Sequence, residues 1–425
     1  MNILHINKFH YLRGGAESVY LNTARLLEAH GHHSVFFSMH HPQNLPCETS
    51  DYFMPYVELD THDNSMIPQL KTAGRILYSF KAKKLLSQLL DKHPVDIAHL
   101  HNIWHHISPS ILYELKKRRI PVVMTIHDYK MVCASYHLQA QGKPCEDCHG
   151  RKYFMVIKKR CVKESLPKSV LCTIEMYLHH KVLDIYNNAN VFISPSRFLK
   201  DKLLEMGFTK KILHLPNCVD IGKFSGFDKD ANNGMDEQEN SIVYFGRLSP
   251  EKGLLTLIEA AKLLYHENKD SRNIKIEIIG EGSMREELQE KVKKENINNV
   301  RFFGYKQGES LYREIKKSVA AILPSEWYEN NPMAVIEAFA MGKPVIGSRI
   351  GGIPELVKDT ETGLTFDPGN AEDLSKKIKA LLADSLSLTK MGENARRFVE
   401  IELNPEKHYR KLMEIYERLL YKTMI

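Results

Sequence analysis

The chain of 425 residues is 43% hydrophobic, and this length and composition predict two domains, each with a packed core. No apolar run approaches the roughly 20 residues that a membrane-spanning helix requires, and residues 1–5 lead into a strand without a signal-peptide pattern, so we expect a cytoplasmic protein. Seven cysteines in such a protein argue against a disulfide framework and leave metal binding or simple burial. The net charge of +7 is modest, and its distribution is more informative than its size.

The first half of the chain alternates apolar strand segments with segments at helical spacing, which predicts a parallel α/β sheet. Ligands of such sheets bind at the carboxyl ends of the strands. The predicted strands are residues 2–6, 34–38, 97–100, 122–126, 190–194 and 211–215, and a helix capped by Ser196 follows the fifth of them.

A glycine pair, Gly14 and Gly15, follows the first strand and precedes a helix on which Val19-Tyr20 and Leu26-Leu27 share one face. Adjacent glycines let the backbone come close to a bound phosphate or sugar. A turn from strand to helix also uses glycine, and the residues alone leave both explanations open.

Histidines stand at the carboxyl ends of two predicted strands, His99 and His101 after the third and His127 after the fourth. Asp128 follows His127 and could orient its ring or contact a substrate. Most of the 21 histidines in the chain are expected to serve structure, and only its place at a strand end selects His127 as a candidate.

Four cysteines, Cys133, Cys145, Cys148 and Cys161, are separated by 11, 2 and 12 residues. The short Cys145–Cys148 spacing is typical of a structural zinc knuckle, and four thiolates could hold down a long loop. The alternative is a loop with buried, reduced thiols. We expect no catalytic role for a metal there.

Residues 151–168 contain seven basic side chains and one acidic side chain, with aromatic and apolar residues among them. This composition is typical of a surface that contacts an anionic membrane. A solvated loop is the alternative, and nucleic acid is not indicated because no recognition module accompanies the segment.

In the second half, residues 241–245 form an apolar strand that ends at a glycine, and a helix begins near residue 254. Arg247 and Lys252 lie between the two elements, at the mouth of the strand. Arginine binds phosphate through two parallel hydrogen bonds, and lysine adds a point charge. Two solvated surface cations are the alternative.

Another buried strand leads to two carboxylates, Glu329 and Glu337, eight positions apart. Pro332 stands where we expect the first position of a helix, so the backbone N–H groups of Met333 and Ala334 would be free to attract an anion. This pattern predicts a phosphate site with both carboxylates bordering one crevice. Paired solvated glutamates on a helix surface are the alternative.

Residues 241–368 resemble the second domain of the GT-B nucleotide-sugar glycosyltransferases, in particular the large retaining family 4. The resemblance implies an α/β fold with two Rossmann-like parallel-sheet domains facing a cleft, and a last helix that crosses back to the first domain. We therefore predict an acceptor-side domain at residues 1–214 with 405–425, and a nucleotide-sugar domain at 215–404. The motifs that carry it are Gly246-Arg247-Leu248-Ser249-Pro250-Glu251-Lys252-Gly253, Gly280-Glu281-Gly282, Phe302-Phe303-Gly304-Tyr305, Gly342-Lys343-Pro344 and Gly351-Gly352-Ile353-Pro354-Glu355.

The same resemblance implies roles for the candidate residues. Glu337 accepts hydrogen bonds from the ribose hydroxyls, Glu329 reaches the hydroxyls of the donor sugar, and His127 lies beside that sugar. Glu329 and His127 are thus the predicted catalytic residues. The other residues predicted to bind the donor are Gly14, Gly15, Arg247, Lys252, Tyr305 (at the base), Asn331, Met333 and Ala334.

The family resemblance also implies retention of the anomeric configuration. No Asp-x-Asp pair stands at a comparable strand end, which fits a transfer in which cations and a helix N-terminus, without a catalytic metal, neutralise the leaving diphosphate. We expect a UDP- or GDP-sugar donor and a saccharide acceptor carried on a lipid. The expected setting is bacterial surface-polysaccharide synthesis, such as capsule or lipopolysaccharide, at the inner face of the cell membrane.

Two other functions fit the same architecture. A nucleotide-sugar epimerase would release an epimerised donor and use no acceptor, although its sequence patterns match less well. A non-catalytic nucleotide-sugar-binding protein would keep Arg247, Lys252 and Glu337 but would not need His127 or Glu329. The presence of both carboxylates favours the transferase.

Overall fold

The computed structural model describes residues 1–57, 66–227, 240–267 and 274–424. The loop predicted at residues 227–240 therefore lies almost wholly outside the described residues. The chain divides into two compact units, the first comprising residues 1–140, 145–216 and 408–425, and the second residues 141–144 and 217–407. No helix within the described ranges is long and apolar enough to cross a membrane.

The first unit is built around a parallel sheet of six strands. Their side chains are largely buried, as expected for a parallel sheet that helices cover. The strands in this part of the chain are β1 Asn2–Ile6, β2 His33–Phe37, β3 Ile97–Leu100, β4 Val122–Thr125, the short β5 Gln139–Ala140 and β6 Lys143–Pro144, β7 Val191–Ser194 and β8 Ile212–His214. The order in the sheet is β2-β1-β3-β4-β7-β8, so the direction of winding reverses between β1 and β3. In such sheets ligands bind outside the carboxyl ends of the strands at the reversal.

Helices connect these strands. Ser79 and Ser196 cap α3 and α7 because each hydroxyl accepts a hydrogen bond from a backbone N–H in the first turn. The helices are α1 Gly15–Ala29, α2 Met66–Leu77, α3 Phe80–Lys92, α4 Ile111–Lys117, α5 Met155–Lys159, α6 Leu166–Tyr177 and α7 Arg197–Glu205.

The second unit contains another parallel sheet of six strands, in the order β11-β10-β9-β12-β13-β14. Its winding reverses between β9 and β12, which is therefore its expected ligand-binding position. These strands are β9 Ser241–Phe245, β10 Lys275–Ile279, β11 Val300–Gly304, β12 Ala320–Leu323, β13 Val345–Ser348 and β14 Gly363–Phe366.

Two hydrophobic cores lie in the second unit. One includes Leu257 and Ile258 from α8 with Ile378 from α13, and the other includes Val335 and Phe339 from α11. The sheet is thus covered by helices, as the apolar strands require. The helices are α8 Leu254–Glu267, α9 Arg285–Lys294, α10 Glu309–Lys317, α11 Met333–Ala340, α12 Ile353–Leu356, α13 Ala371–Ala383 and α14 Ser385–Glu402.

The last helix, α15 Pro405–Met424, contributes Leu412, Met413 and Tyr416 to a core of the first unit. The hydroxyl group of Tyr416 is 2.7 Å from Nδ1 of His99 in β3. Apolar packing and this buried hydrogen bond therefore hold the C-terminal part of the helix in the first unit.

The predicted α/β class with parallel sheets is confirmed, and the differences concern element ends. The fourth strand ends at Thr125, one residue before the predicted end. The helix predicted from residue 388 begins at Ser385, because Asp384 caps it by accepting hydrogen bonds from two backbone N–H groups. Capping residues extend a helix beyond its periodic apolar positions, which is why periodicity alone placed the start too late.

Candidate active site

Two loops meet at the strand reversal of the second unit. One follows β9 and carries Arg247 and Lys252, and the other follows β12 and carries Glu329. Gly253, at φ +66°, permits their close approach, because a Cβ atom there would overlap the carbonyl oxygen of Pro324. The backbone N–H of Glu326 also donates to the carbonyl of Glu251. The sequence therefore places its predicted cations and carboxylate at one position in the fold.

The Lys252 ammonium and the Glu329 carboxylate form an ion pair, with Nζ 2.5 Å from Oε1. The Ser325 hydroxyl donates to the same oxygen at 2.6 Å, and Nζ also lies 5.4 Å from the centre of the Trp327 ring. Burial alone would raise the pKa of Glu329, but the Lys252 charge and hydrogen bonds from Lys252, Ser325 and Trp327 lower it below its ordinary value. Glu329 is therefore an anion at neutral pH.

The backbone of Glu329 is held by the glycine motif that follows β13. The N–H of Gly352 donates to the Glu329 carbonyl at 2.7 Å. Gly351 has φ +61°, and a Cβ atom there would overlap the Glu329 backbone. The motif thus supports the loop that carries the carboxylate, a role that its sequence did not reveal.

A second glycine motif shapes the loop that carries Arg247. A Cβ atom on Gly280 would overlap the carbonyl oxygen of Gly246, and one on Gly282 would overlap the carbonyl oxygen of Leu248. The N–H of Leu248 donates to the Glu281 carbonyl at 2.9 Å. These glycines let the β10 loop pack directly on the β9 loop.

Arg247 itself is exposed, and its guanidinium forms no ion pair with any residue in the described ranges. Its carbonyl oxygen accepts a hydrogen bond from the Tyr244 hydroxyl at 2.7 Å, which fixes the backbone while the side chain extends outward. Tyr305 is 63% exposed, and its hydroxyl donates to Gln307 at 3.2 Å.

Pro332 is the N-cap of α11, with φ −67° and ψ 117°, and the prediction that it occupies the first helical position is wrong by one residue. Its carbonyl accepts from Val335 and Ile336, so the helix begins at Met333. No backbone carbonyl of the described chain accepts from the N–H groups of Met333 and Ala334, as expected for the first turn of a helix.

Asn331 is buried, and its side-chain oxygen accepts from the N–H of Asn217 at 3.0 Å. The Asn217 amide in turn donates to the Asn331 carbonyl at 3.2 Å. This reciprocal pair connects the loop before α11 to the start of the second unit. The sequence analysis missed Asn217 as a partner, because the two residues are 114 positions apart.

Glu337 lies one turn into α11 and is partly buried. Burial raises its pKa to about 7, although the positive charge of Lys223 opposes the shift. Its carboxyl group therefore exists in both protonation states near neutral pH. A carboxyl group of this kind can accept hydrogen bonds from hydroxyls and can also donate one.

In the first unit His127 follows β4, and its Nε2 lies 2.8 Å from Nδ1 of His101. The two rings are stacked with their centres 5.2 Å apart. Burial, with a smaller effect of Lys8, lowers the pKa of His127 to about 4, so the ring is neutral at pH 7. Asp128 instead accepts from the N–H of Lys130 at 2.9 Å, and His101, which we did not expect in this role, orients His127.

Gly14 is the N-cap of α1 in an extended conformation, and Gly15 is the first residue of the helix. Neither glycine has a positive φ. The turn from strand to helix therefore does not require glycine at these positions, and this removes one of the two explanations for the pair.

A buried ion pair that the sequence analysis did not predict lies near this loop. Nζ of Lys130 is 2.7 Å from Oε2 of Glu175, and Nε2 of His105 is 3.0 Å from the same oxygen. Lys130 and Glu175 are almost inaccessible to solvent, so each needs the other. The only sequence signal was a lysine three residues beyond a strand-end histidine.

The four cysteines predicted as zinc ligands are free thiols, two of them buried and two partly buried. Among the described residues, a group that could hold a metal with its ligand atoms within 4.8 Å of one another is formed by His105, Cys172 and Glu175. The four predicted cysteines do not meet that distance in this arrangement.

Comparisons with known proteins agree with this architecture. A family model described as glycosyltransferase family 4 matches residues 13–223, and one described as glycosyl transferases group 1 matches residues 227–398. The amylovoran biosynthesis glycosyltransferase of Erwinia amylovora is 29% identical over 242 residues, which cover 55% of this chain and 58% of that protein.

Solved structures share the fold over nearly the whole chain. Sucrose-phosphate synthase of Thermosynechococcus elongatus superposes with a TM-score of 0.70 and 20% identity, covering 99% of both chains. Anabaena HepE, solved in complex with UDP, superposes with a TM-score of 0.65 and 17% identity, covering 98% of this chain and 100% of the other. Both chains have the fold that the sequence motifs predicted.

Proposed function

This chain is a glycosyltransferase of the GT-B type, and we propose that it transfers a sugar from a nucleoside diphosphate to a saccharide acceptor with retention of configuration. The observation that carries the donor assignment is the Lys252–Glu329 ion pair at the strand reversal, beside the first turn of α11. Transferase activity does not favour the epimerase or the non-catalytic binding protein.

Charge at this position suits a leaving diphosphate. The exposed Arg247 guanidinium, the Lys252 ammonium and the amides of Met333 and Ala334 provide positive charge and hydrogen-bond donors. Such groups stabilise the negative charge that develops on the departing phosphate, because they are already in place before the reaction. We therefore assign the neutralising role to protein groups and propose a transfer that needs no catalytic metal.

The two carboxylates suit different hydroxyl groups. Glu329 is anionic and held by Ser325, so it is a strong acceptor for the hydroxyls of the donor sugar. Glu337, with its pKa near 7, can share a proton with the ribose hydroxyls. We assign the base to the neighbourhood of Tyr305, whose exposed ring can stack on a planar group.

We propose a substitution on one face of the sugar, because no carboxylate is available as a covalent nucleophile among the residues assigned to the site. The bond between the anomeric carbon and the phosphate oxygen breaks, and the acceptor oxygen bonds to the same face of that carbon. The acceptor proton passes to the departing phosphate oxygen, so the diphosphate leaves protonated. His127, neutral at pH 7, acts as a hydrogen-bonding group in this step. Gly14 and Gly15 supply approachable backbone.

The donor is proposed to be a UDP- or GDP-sugar and the acceptor a lipid-linked saccharide of a bacterial surface polysaccharide. The UDP in the Anabaena neighbour and the role of the Erwinia relative in amylovoran synthesis support this proposal. So does the basic surface of residues 151–168, where Phe154 is 43% exposed with the Lys158 ammonium 5.4 Å from its ring. Such a surface suits the anionic inner face of a cell membrane.

Calorimetric binding of UDP, GDP and ADP in the presence of EDTA tests the donor site without knowledge of the acceptor. We expect one nucleotide to bind at micromolar strength, and the Arg247→Ala/Lys252→Ala variant to lose it. The matched control is Arg313→Ala/Lys379→Ala, which removes two cations paired with glutamates elsewhere in the second unit. Equal binding by both variants would show that the site is misplaced.

A further inference from the structure

The first candidate for a metal site in this chain is already occupied by a side chain. His105, Cys172 and Glu175 present ligand atoms within 4.8 Å of one another. However, Nζ of Lys130 lies 2.7 Å from Glu175 and 3.2 Å from Nε2 of His105. An ammonium group thus supplies the positive charge that a cation would bring, and the cluster is a satisfied buried ion pair.

The second candidate is the set of four cysteines, which the fold gathers from both ends of a 29-residue segment. The Cys148 thiol interacts electrostatically with the thiols of Cys133, Cys161 and Cys145. Cys161 interacts in turn with Cys133 and Cys145. The sequence separations of 11, 2 and 12 residues therefore do not scatter the thiols over the surface.

Hydrogen bonds to neighbouring groups account for the spacing of the sulfur atoms. Sγ of Cys133 lies 3.2 Å from the Ser135 hydroxyl, and Sγ of Cys145 accepts from Nζ of Lys159 at 3.4 Å. A zinc ion bound by four thiolates at about 2.3 Å requires sulfur atoms roughly 3.8 Å apart. Rotation about the Cα–Cβ bonds is the motion that brings them to that distance, and it leaves the backbone in place.

The backbone around the close pair is held from two sides. Asp147 pairs with Lys159 of α5 at 2.5 Å, and Glu146 pairs with Lys202 of α7 at 2.9 Å. The N–H of Gly150 donates to the carbonyl of Met206 at 3.3 Å. The Cys145-x-x-Cys148 turn is thus positioned before any metal binds, which lowers the entropic cost of assembling the site.

We propose that Cys133, Cys145, Cys148 and Cys161 bind one structural Zn²⁺ as four thiolates. Each thiol releases its proton to solvent, so one Zn²⁺ replaces four protons and the site carries a net charge of −2. The Lys159 ammonium, which already donates to Cys145, offsets part of this charge. The ion would fix the segment that begins six residues after His127, and it takes no part in sugar transfer.

Elemental analysis of the full chain, produced with zinc in the medium and purified without chelator, tests the site directly. We expect about one equivalent of zinc, and less than about 0.3 equivalents would overturn the proposal. In the Cys145→Ser/Cys148→Ser variant the zinc should be lost. The matched control is Cys47→Ser/Cys218→Ser, which removes two thiols outside the cluster and should keep the metal. Zinc retained by the first variant would contradict the assignment.

A second measurement decides the case in which the cluster variant does not fold. The wild-type chain is produced in medium with Co²⁺ in place of zinc, and its visible absorption is recorded. Tetrahedral thiolate coordination gives intense sulfur-to-cobalt and ligand-field bands, which we expect here. A cobalt-free protein, or a spectrum without thiolate bands, would overturn the proposal. Neither readout depends on transferase activity, so this result and that of the nucleotide-binding experiment are independent.

Discussion

Nζ of Lys252 lies 2.5 Å from Oε1 of Glu329, so a cation assigned to the diphosphate and a carboxylate assigned to the donor sugar are partners before any donor is bound. This pairing keeps a buried carboxylate ionised and holds a flexible lysine in one place. A diphosphate that approaches Lys252 would then share it with Glu329. The two functions are coupled through one ion pair.

Lys252→Ala is expected to lower kcat/KM by roughly 30- to 1,000-fold, which corresponds to about 2 to 4 kcal/mol of transition-state stabilisation. The variant loses the charge that faces the leaving group and also leaves Glu329 without its partner. Initial rates at varied donor concentration measure the effect. An unchanged kcat/KM would exclude Lys252 from the site.

The control for this variant is Lys306→Ala. Lys306 resembles Lys252 in its surroundings, because it pairs with Glu314 at 2.6 Å, lies 4.8 Å from the centre of the Phe303 ring and has a similar side-chain exposure. Its removal tests the general cost of deleting a partly buried lysine in the second unit. We expect transfer rates within about twofold of the wild type.

The sequence predicted the parallel strands and the residues at their carboxyl ends, because apolar runs and breaks at glycine are local signals. It did not predict which residues pair. Lys252 and Glu329 are 77 positions apart, and their contact depends on two loops that glycines allow to touch. His127 is oriented by His101 on the neighbouring strand and not by the adjacent Asp128, because partners across a sheet follow strand order. Such contacts have no local pattern in the chain.

Gly351→Ala is expected to destabilise the second unit by about 2 to 3 kcal/mol and to lower activity. A left-handed φ costs about 1 kcal/mol for alanine, and the new methyl group must also displace the Glu329 backbone. Urea unfolding gives the free energy of unfolding. Gly308→Ala is the control, since Gly308 has φ +56° but no atom within 4 Å of the added carbon. Equal losses in both variants would mean that the contact with Glu329 contributes nothing.

The Glu337 carboxyl should make stability depend on pH in a predictable direction. Its pKa is raised to about 7 in the folded chain, so between its ordinary value and 7 the unfolded chain loses this proton first. The group therefore costs nothing at low pH and destabilises the fold increasingly as the pH rises to about 7. Relative to wild type, Glu337→Gln should gain about 2 kcal/mol between about pH 5 and pH 8. Urea unfolding of both proteins at the two pH values measures this, and a constant difference would contradict it.

Replacing three exposed lysines of the basic surface, Lys152, Lys158 and Lys168, with alanine should weaken binding to anionic vesicles about 100-fold. Each lysine near a charged membrane contributes about 1 kcal/mol. Vesicle sedimentation measures the bound fraction. The control removes three exposed lysines of the second unit, Lys293, Lys294 and Lys317, and should bind like wild type. Equal binding of wild type to neutral and anionic vesicles would refute the membrane assignment.

His127→Gln is expected to lower kcat about 100-fold and to leave UDP binding unchanged, because UDP lacks the sugar beside which we place this ring. The pKa of about 4 means that His127 is already neutral above about pH 5. The shape of the rate profile between about pH 5 and pH 8 should therefore be the same in the variant and the wild type. Steady-state rates and calorimetry with UDP test both statements, with His33→Gln as an exposed histidine control. A parallel loss of UDP affinity would mean that His127 supports the structure of the first unit and does not act in the transfer step.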